Sequence, residues 1–312
     1  MRTSESSSYR TMLQFLNQNT SRLQEAQVSV ASGKKLSKPS DNPAGVAPML
    51  LAKTQLKNAD LFTKNSTAAQ DQLKTQGTQL MQADSLLARA IELTVASGNG
   101  IYGAQERAGM ADEIKDLKAE MLGVANSRMN DKYSYAGFRD NTAPFATNPA
   151  YDPILDPRPV LYNGDNGVVQ LEIAPAEQMA VNFPGNAVFL GDQNGDGAVD
   201  PGQVDIFATL TTLETALRAN DQAGAHAQLD NLYQAQKQIG VYQSKTGNAA
   251  NRLERSLSDM EDLQIDLKAV VSRYEDVDVA AAITQMTQQE QALQAAMSVT
   301  GRISKLSILD YL

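Results

Sequence analysis

Apolar residues recur every seven positions along the last quarter of the chain. Ile239, Leu253, Met260, Leu267 and Tyr274 form one row, with Thr246 its one polar member. A second row, offset by four, holds Ala250, Leu257 and Val271 and is interrupted by Gln264. A third continues through Val279, Met286 and Leu293 and fades at Thr300. Repeats of this kind put one stripe on one face of a helix, and that stripe must be covered by a partner helix. Matching rows stand at the other end of the chain. Tyr9, Leu16, Leu23 and Val30 are spaced by seven, with Met12, Asn19 and Ala26 three residues after the first three. The two ends are therefore expected to lie together.

Residues 1–8 are polar and Ser-rich, so fraying is expected there. The first helix is predicted to stop near Gly33, and the stretch Ser32–Ala44, with Pro39 and Pro43, reads as an irregular connection. A second long helix is predicted over about 49–97, with Leu73, Leu80, Leu87, Ile91 and Val95 as its stripe. A third spans about Ala104–Met129, through Met110, Ile114, Leu117 and Met121. The helical period is lost over Asp131–Asp140. From Asn141 to about Gly191 the character changes: Pro144, Pro149, Pro153, Pro157 and Pro159 rule out helix over much of it. Val169, Leu171 and Ile173 alternate as in a half-buried strand. Val181–Phe183 and Val188–Leu190 read as further short strands, and Asn163-Gly164 and Asn166-Gly167 as hairpin turns. Ile206, Leu210, Leu213 and Leu217 then start another helix, and Leu229 and Leu232 lead into the long rows.

The pattern predicts a mainly α protein. It is an elongated multi-helix rod whose N- and C-terminal helices pair as a coiled coil, with a small β-rich insertion. Residues 1–45 with 276–312 form the terminal coiled coil, 46–140 with 204–275 the helical rod, and 141–203 the β-rich outer domain. The terminal seams are diluted by Asn19, Thr20, Gln27, Glu290 and Thr300. Helices of this type are marginal alone in water, so their full ordering is expected to depend on further subunits packing around them.

Composition narrows the function. The chain has 312 residues, a formal charge of −9, no Cys and no Trp. Zero Cys excludes a disulfide scaffold, thiol catalysis and thiolate metal sites. The acidic balance argues against nucleic acid and anionic membrane as partners. No window approaches the length of apolar run that spans a bilayer. Met1–Arg10 has no apolar core and does not read as a cleaved signal peptide, so export, if it occurs, is expected by another route. No G-x-S-x-G elbow, Walker loop or G-x-G-x-x-G after a strand is present, and no enzyme is expected.

One local motif suggests a ligand. Asp192-Gln193-Asn194-Gly195-Asp196-Gly197-Ala198-Val199-Asp200 places oxygen ligands at positions 1, 3, 5 and 9, with Gly at 6. That matches a calcium loop, with Asp192, Asn194, Asp196 and Asp200 as the candidate metal ligands. The departure is Gln203, where a bidentate Glu belongs, and Asp205 would reach in only by a different loop path. The competing reading is a polar turn rich in Asp, Asn and Gly for conformational reasons. No cofactor is required by either reading. His226, the one His, reads as a surface residue. Lys34, Lys35 and Lys38 form a basic cluster that is either solvated or faces an acidic neighbour. Met110, Met121, Met260 and Met286 lie on helical stripes and read as core.

Three segments resemble a known family. Ala31–Leu36 followed by Lys38-Pro39-Ser40-Asp41-Asn42-Pro43-Ala44-Gly45 is similar to the end of the first helix of flagellins and flagellar hook-associated proteins. Tyr133-Ser134-Tyr135-Ala136-Gly137-Phe138, continuing to Thr142-Ala143-Pro144-Phe145, resembles the "Y-x-F-[AS]-G … T-x-P-F" segment of the hook–filament junction family, hook-associated protein 3. So does the C-terminus, Leu306–Leu312 preceded by Gln288-Gln289 and Leu293–Ala296. The resemblance implies an extracellular structural adaptor of the bacterial flagellum that joins hook to filament, without catalysis. Its implied partners are copies of itself in a ring, the other junction protein on the hook side, flagellin on the filament side, and the flagellar type III export apparatus with its chaperone. The alternatives are flagellin itself and, from another class, a calcium-dependent coiled-coil surface adhesin.

Overall fold

The computed structural model describes residues 2–35, 38 and 42–309. Among them lie α1 (Arg2–Ser32), α2 (Pro43–Ser97), α3 (Ala104–Ala125), α4 (Ile206–Arg218), α5 (Gln222–Ala227), α6 (Leu229–Glu275) and α7 (Val279–Leu309). Between α3 and α4 come β1 (Arg128–Met129), β2 (Lys132–Tyr133), β3 (Phe145–Thr147), β4 (Val160–Tyr162), β5 (Gln170–Ala174) and β6 (Glu177–Ala180). The chain divides into two compact units, one of Met1–Ala59 with Asp262–Leu312 and the other of Asp60–Glu261.

The first unit pairs α1 with α7. The pairing is antiparallel. Val277 donates its N–H to the Gly33 carbonyl (3.0 Å), while Met12 and Phe15 lie beside Ala296. The seam of α1 is the one its heptad marks: Ala26 is buried, and Met12, Leu16, Asn19, Leu23 and Val30 are half-buried between exposed neighbours. Tyr9 heads that row, and its side chain lies outside the described residues. On α7 the inner face carries Ala282, Met286, Leu293 and Ala296. Val279, expected to open this row, is instead 52% exposed. The helix restarts there. Asp278 caps it by accepting the Ala281 N–H (3.0 Å), and Val279, the first helical residue, turns outward.

The second unit holds the large core. The first heptad row is sealed inside it as far as its end at Glu261: Ile239, Thr246, Leu253 and Met260 are all buried. Leu73, Leu80 and Leu87 of α2 are fully buried, whereas Val95 at the end of that stripe is exposed and Leu93 takes the inner position. Ile114, Leu117 and Met121 of α3 and Ile206, Leu210, Leu213 and Leu217 of α4 are buried in the same cluster as Leu80 and Leu87. Amphipathic helices reach stability by burying such faces rather than by propensity, and each large side chain sealed this way contributes roughly 1.5–3 kcal/mol.

The β-rich region differs most from expectation. It holds three separate antiparallel pairs, β1 with β2, β3 with β4 and β5 with β6, and it departs from expectation at its turns and at its last apolar run. Neither Asn-Gly pair closes a hairpin. Asn163-Gly164 and Asn166-Gly167 lie in the loop between β4 and β5, which do not pair. The tight turn is Pro175-Ala176, with Ala176 at φ 61° between Ala174 and its partner Glu177. Val181 adds one more backbone bond to Val169 (3.1 Å), and then the ladder stops before Asn182 and Phe183. Val188–Leu190, expected as a strand, lies in a π-helical turn, Asn186–Leu190, closed by Gly191 at φ +69°. A three-residue apolar run carries no period of its own, so strand and buried turn cannot be distinguished from it.

Candidate functional site

A polar clamp sits where α6 ends and α7 begins. The α1 C-terminus is closed by Gly33 at φ +69°, and the next residues pair with the α6–α7 break. Lys35 donates its N–H to the Glu275 carbonyl (2.6 Å), and Lys34 and Asp276 form an antiparallel bridge. The Glu275 side chain, 9% exposed, is held by Lys34 Nζ at 2.6 Å and by Lys53 Nζ of α2 at 2.5 Å. The Lys34 and Lys53 ammoniums hold its carboxyl below the usual carboxylate range, and Glu275 in turn raises the Lys34 ammonium. Of the three lysines in the sequence cluster, Lys34 thus finds its acidic partner within the same chain. Gly45 packs beside Tyr274, the last member of the first heptad row. A Cβ there would meet Asn42 Nδ2 at 2.9 Å and Tyr274 Cδ1 at 3.1 Å. Leu36, Ser37, Pro39, Ser40 and Asp41 of this motif, and Asp310-Tyr311-Leu312 of the C-terminal one, lie outside the described residues.

The segment Tyr133–Phe145 is built into the second unit's core. Tyr135 and Phe145 are buried and pack edge-on against Phe189 with centroids 5.1 and 5.6 Å away, and Phe207 lies 5.7 Å from Phe145. Burial pushes the Tyr135 phenol upward. Gly137 adopts φ +69°, and a Cβ there would lie 2.1 Å from Asp165 Oδ1. That oxygen accepts the N–H groups of Phe138 (2.7 Å) and Gly167 (2.8 Å). Asn126, which caps α3, ties the other end by a reciprocal pair with the Phe145 backbone, 2.9 Å in each direction. The glycine is required both by its left-handed backbone and by this close approach.

The candidate calcium residues share one loop whose oxygens are engaged within the protein. Asp192 accepts the N–H of Gly195 (2.6 Å) and of Gly197 (3.1 Å). Asp196 accepts Ala198 N–H (2.8 Å), Asn194 accepts Asp196 N–H (2.8 Å), and Asp200 accepts Gln193 N–H (2.6 Å). Asn186, buried in the π-helical turn, donates to the Asp192 carbonyl (2.8 Å) and carboxylate (3.2 Å). Asp205 does not enter the loop. It caps α4 by accepting the Ala208 N–H (2.9 Å), and burial pushes its carboxyl up to about 6. His226 is exposed on α5, Met121 and Met260 are buried, and Met110 and Met286 are half-buried.

The remaining surface feature is apolar. In the first unit the buried apolar residues among those described are Ala26, Ala52, Ala59, Leu267 and Ala282, four of them alanine. Leu13, Phe15, Leu50, Leu51, Ile283 and Met297 stay outside. A surface with this many large apolar side chains left uncovered is characteristic of chains that associate.

The family model described as the bacterial flagellin N-terminal helical region matches residues 4–137, and that of the bacterial flagellin C-terminal helical region matches 229–312. Together they cover more than two-thirds of the chain. This chain belongs to the bacterial flagellin family. Flagellin-family relatives also match over nearly their whole length. Flagellin of Bacillus subtilis is 27% identical over 94% of this chain and 93% of its own. Flagellar hook-associated protein 3 of Escherichia coli is 25% identical over 90% of each. Among solved structures, a putative flagellar hook-associated protein from Vibrio parahaemolyticus superposes with a TM-score of 0.64 at 16% identity, covering 76% of this chain and 100% of that one. The flagellar junction protein FlgL from Legionella pneumophila gives 0.60 at 18%, covering 73% and 100%. These likenesses establish the flagellin-family fold. The two family models leave 138–228 unmatched, the stretch that carries β3–β6, the candidate calcium loop, α4 and α5.

Proposed function

We propose that this chain is a structural subunit of the hook–filament junction of the bacterial flagellum. It acts outside the cell as a mechanical adaptor. Copies form a ring, with the other junction protein on the hook side and flagellin on the filament side. The chain reaches its place through the flagellar export apparatus with a chaperone. The observation that carries this reading is the segment Tyr133–Phe145. Its pattern resembles that of the junction family, and its Tyr135, Gly137 and Phe145 are fixed by the core rather than displayed as a variable loop. The outward apolar residues of α1 and α7 support assembly with further subunits. The near-equal match to Bacillus subtilis flagellin favours a second reading, that of a filament subunit.

Immunogold electron microscopy of isolated flagella, with antibody to the β-rich region, separates the two. A narrow band of gold between hook and filament is the expected result. Label along the whole filament would establish the flagellin reading instead, and label on the cell surface alone would overturn both.

A further inference from the structure

One cavity of the Asp60–Glu261 unit gathers polar motifs that assembly leaves unused. Its walls come from the β4–β5 loop, which carries both Asn-Gly pairs, and from the Asp192–Asp200 loop. Its volume is about 570 Å³, within the roughly 300–1,000 Å³ typical of small-ligand sites. Asn166 packs against Gly195, whose backbone is left-handed at φ +80°, so the two loops meet along one side. All of the lining lies within 158–205, outside the segments that the flagellin family models match.

The lining holds polar groups that the fold has not spent. The side chains of Asn163 and Asn166 are exposed, and neither amide bonds to another described residue. Arg158 bonds to Asp156 through Nε (2.9 Å), which leaves both Nη groups without a bond among the described residues. Asp205 accepts the Ala208 N–H and has no cationic partner among the described residues. Asn186 is the most deeply buried polar residue of the lining, 3% exposed. Its Nδ2 is committed to Asp192, and its Oδ1 has no partner. Buried acceptors in native proteins are nearly always satisfied, so this one marks a place where a donor is missing.

These groups select a class of ligand. Unspent donors and unspent acceptors stand side by side. An anion brings acceptors only and meets the carboxylates of Asp165, Asp192 and Asp205, whereas an ammonium group brings donors only and meets Arg158. Among the described residues no three acidic or His side chains are placed to share a metal ion. A wholly apolar ligand would bury the amides unpaired, at a cost. A hydroxyl donates and accepts at once. A sugar ring carries several hydroxyls and also an apolar C–H face, for which Leu161, Leu190 and Val199 supply apolar wall. We propose that this cavity binds one neutral sugar unit, whose hydroxyls bond to Arg158, Asn163, Asn166 and Asp205 and supply the donor that Asn186 lacks. The binding belongs to the single chain, so it goes beyond the junction reading and holds equally for a filament subunit.

Saturation-transfer difference NMR on the full chain tests this, with the methyl glycosides of galactose, mannose, glucose and N-acetylglucosamine at millimolar concentration. Transfer to at least one glycoside is the expected result. Spermidine and inorganic phosphate are the cationic and anionic comparisons. No transfer to any glycoside, or tighter binding of either ion than of every glycoside, overturns the proposal. Asn163→Ala with Asn166→Ala removes two exposed amides and should weaken glycoside binding by at least about tenfold, with the wild-type circular dichroism. Ala198→Trp instead fills the cavity at an exposed lining position and leaves every named group in place. It should abolish binding, and undiminished binding in either variant overturns the assignment to this cavity. Gold labelling of flagella is independent of all these outcomes, so a failure here leaves the junction reading intact.

Discussion

The two units of this protein are made from the same kind of helix and use it in opposite ways. In the Asp60–Glu261 unit, phenylalanines, leucines and a tyrosine are sealed inside and interlock, as in the Tyr135–Phe189–Phe145 group. In the terminal unit the sealed residues are mostly alanines, and the bulky ones face out. Large side chains inside give a unit that is complete in itself. Small ones inside let two helices approach closely but leave little buried area, so such a unit completes its burial against other chains. A heptad row therefore marks a seam in both places, and the size of the residues in it separates a core from an assembly surface.

That contrast can be broken most directly at the aromatic cluster. Phe189→Ala should cost about 3–5 kcal/mol in urea-induced unfolding of the larger unit, because Phe189 is fully buried. Phe15→Ala, at a residue 58% exposed on α1, should stay within about 0.5 kcal/mol in the isolated chain while lowering incorporation into flagella. Equal stability losses would erase the distinction. Next in size is Gly137→Ala. The left-handed backbone and the approach to Asp165 together predict a loss of about 1–3 kcal/mol, read as a lowered thermal midpoint.

The Asp205 cap gives a smaller, pH-dependent effect. Its folded carboxyl titrates at about 6, above the ordinary 3.8, so folding takes up a proton between those values. This group's contribution is most favourable below pH 3.8 and is lost as pH rises through 6. Asp205→Asn keeps an acceptor for Ala208 and should flatten that part of the stability profile. Asp205→Ala should cost about 1 kcal/mol. In the terminal unit the sign reverses. Glu275 is held below its ordinary value, so its contribution is present above about 4.5 and is lost as pH falls further. Protection of the Lys35 and Val277 amides against exchange, relative to the intrinsic rate at the same pH, should fall in Glu275→Gln at neutral pH, and in the wild type only in acid. The smallest expected effect is that of calcium on the Asp192–Asp200 loop. Its carboxylates already accept backbone N–H groups, so millimolar calcium should give no saturable heat by calorimetry. A saturating titration would make the loop a metal site.

Much of the helical framework was legible because the seven-residue rows are local records of which face is covered. Met12, Leu16 and Leu23, like Ile239, Leu253 and Met260, lie inward as their spacing requires. Val279 and Val95 miss because each stands within a turn of a helix end, where the stripe is no longer continued. The β-rich region was read less well. Asn-Gly is a turn signal only when the strands beside it pair, and here β4 turns back to β3 while Pro175-Ala176 makes the hairpin. The clamp at Glu275 has no local signature at all, since its lysines come from the end of α1 and from α2.

The sequence by itself established the mainly helical class, the pairing of the two chain ends, the proline-rich β region and the family segments, because each is written in spacing or in residues that are neighbours along the chain. The fold alone settled the rest. It made Asp205 a helix cap rather than a loop ligand, turned Val188–Leu190 into a π-helical turn, gave Lys34 an intramolecular partner, and left Ile154 and Leu155 facing water. Periodicity says which face of an element wants cover, but what covers it depends on surfaces distant in sequence that only packing brings together.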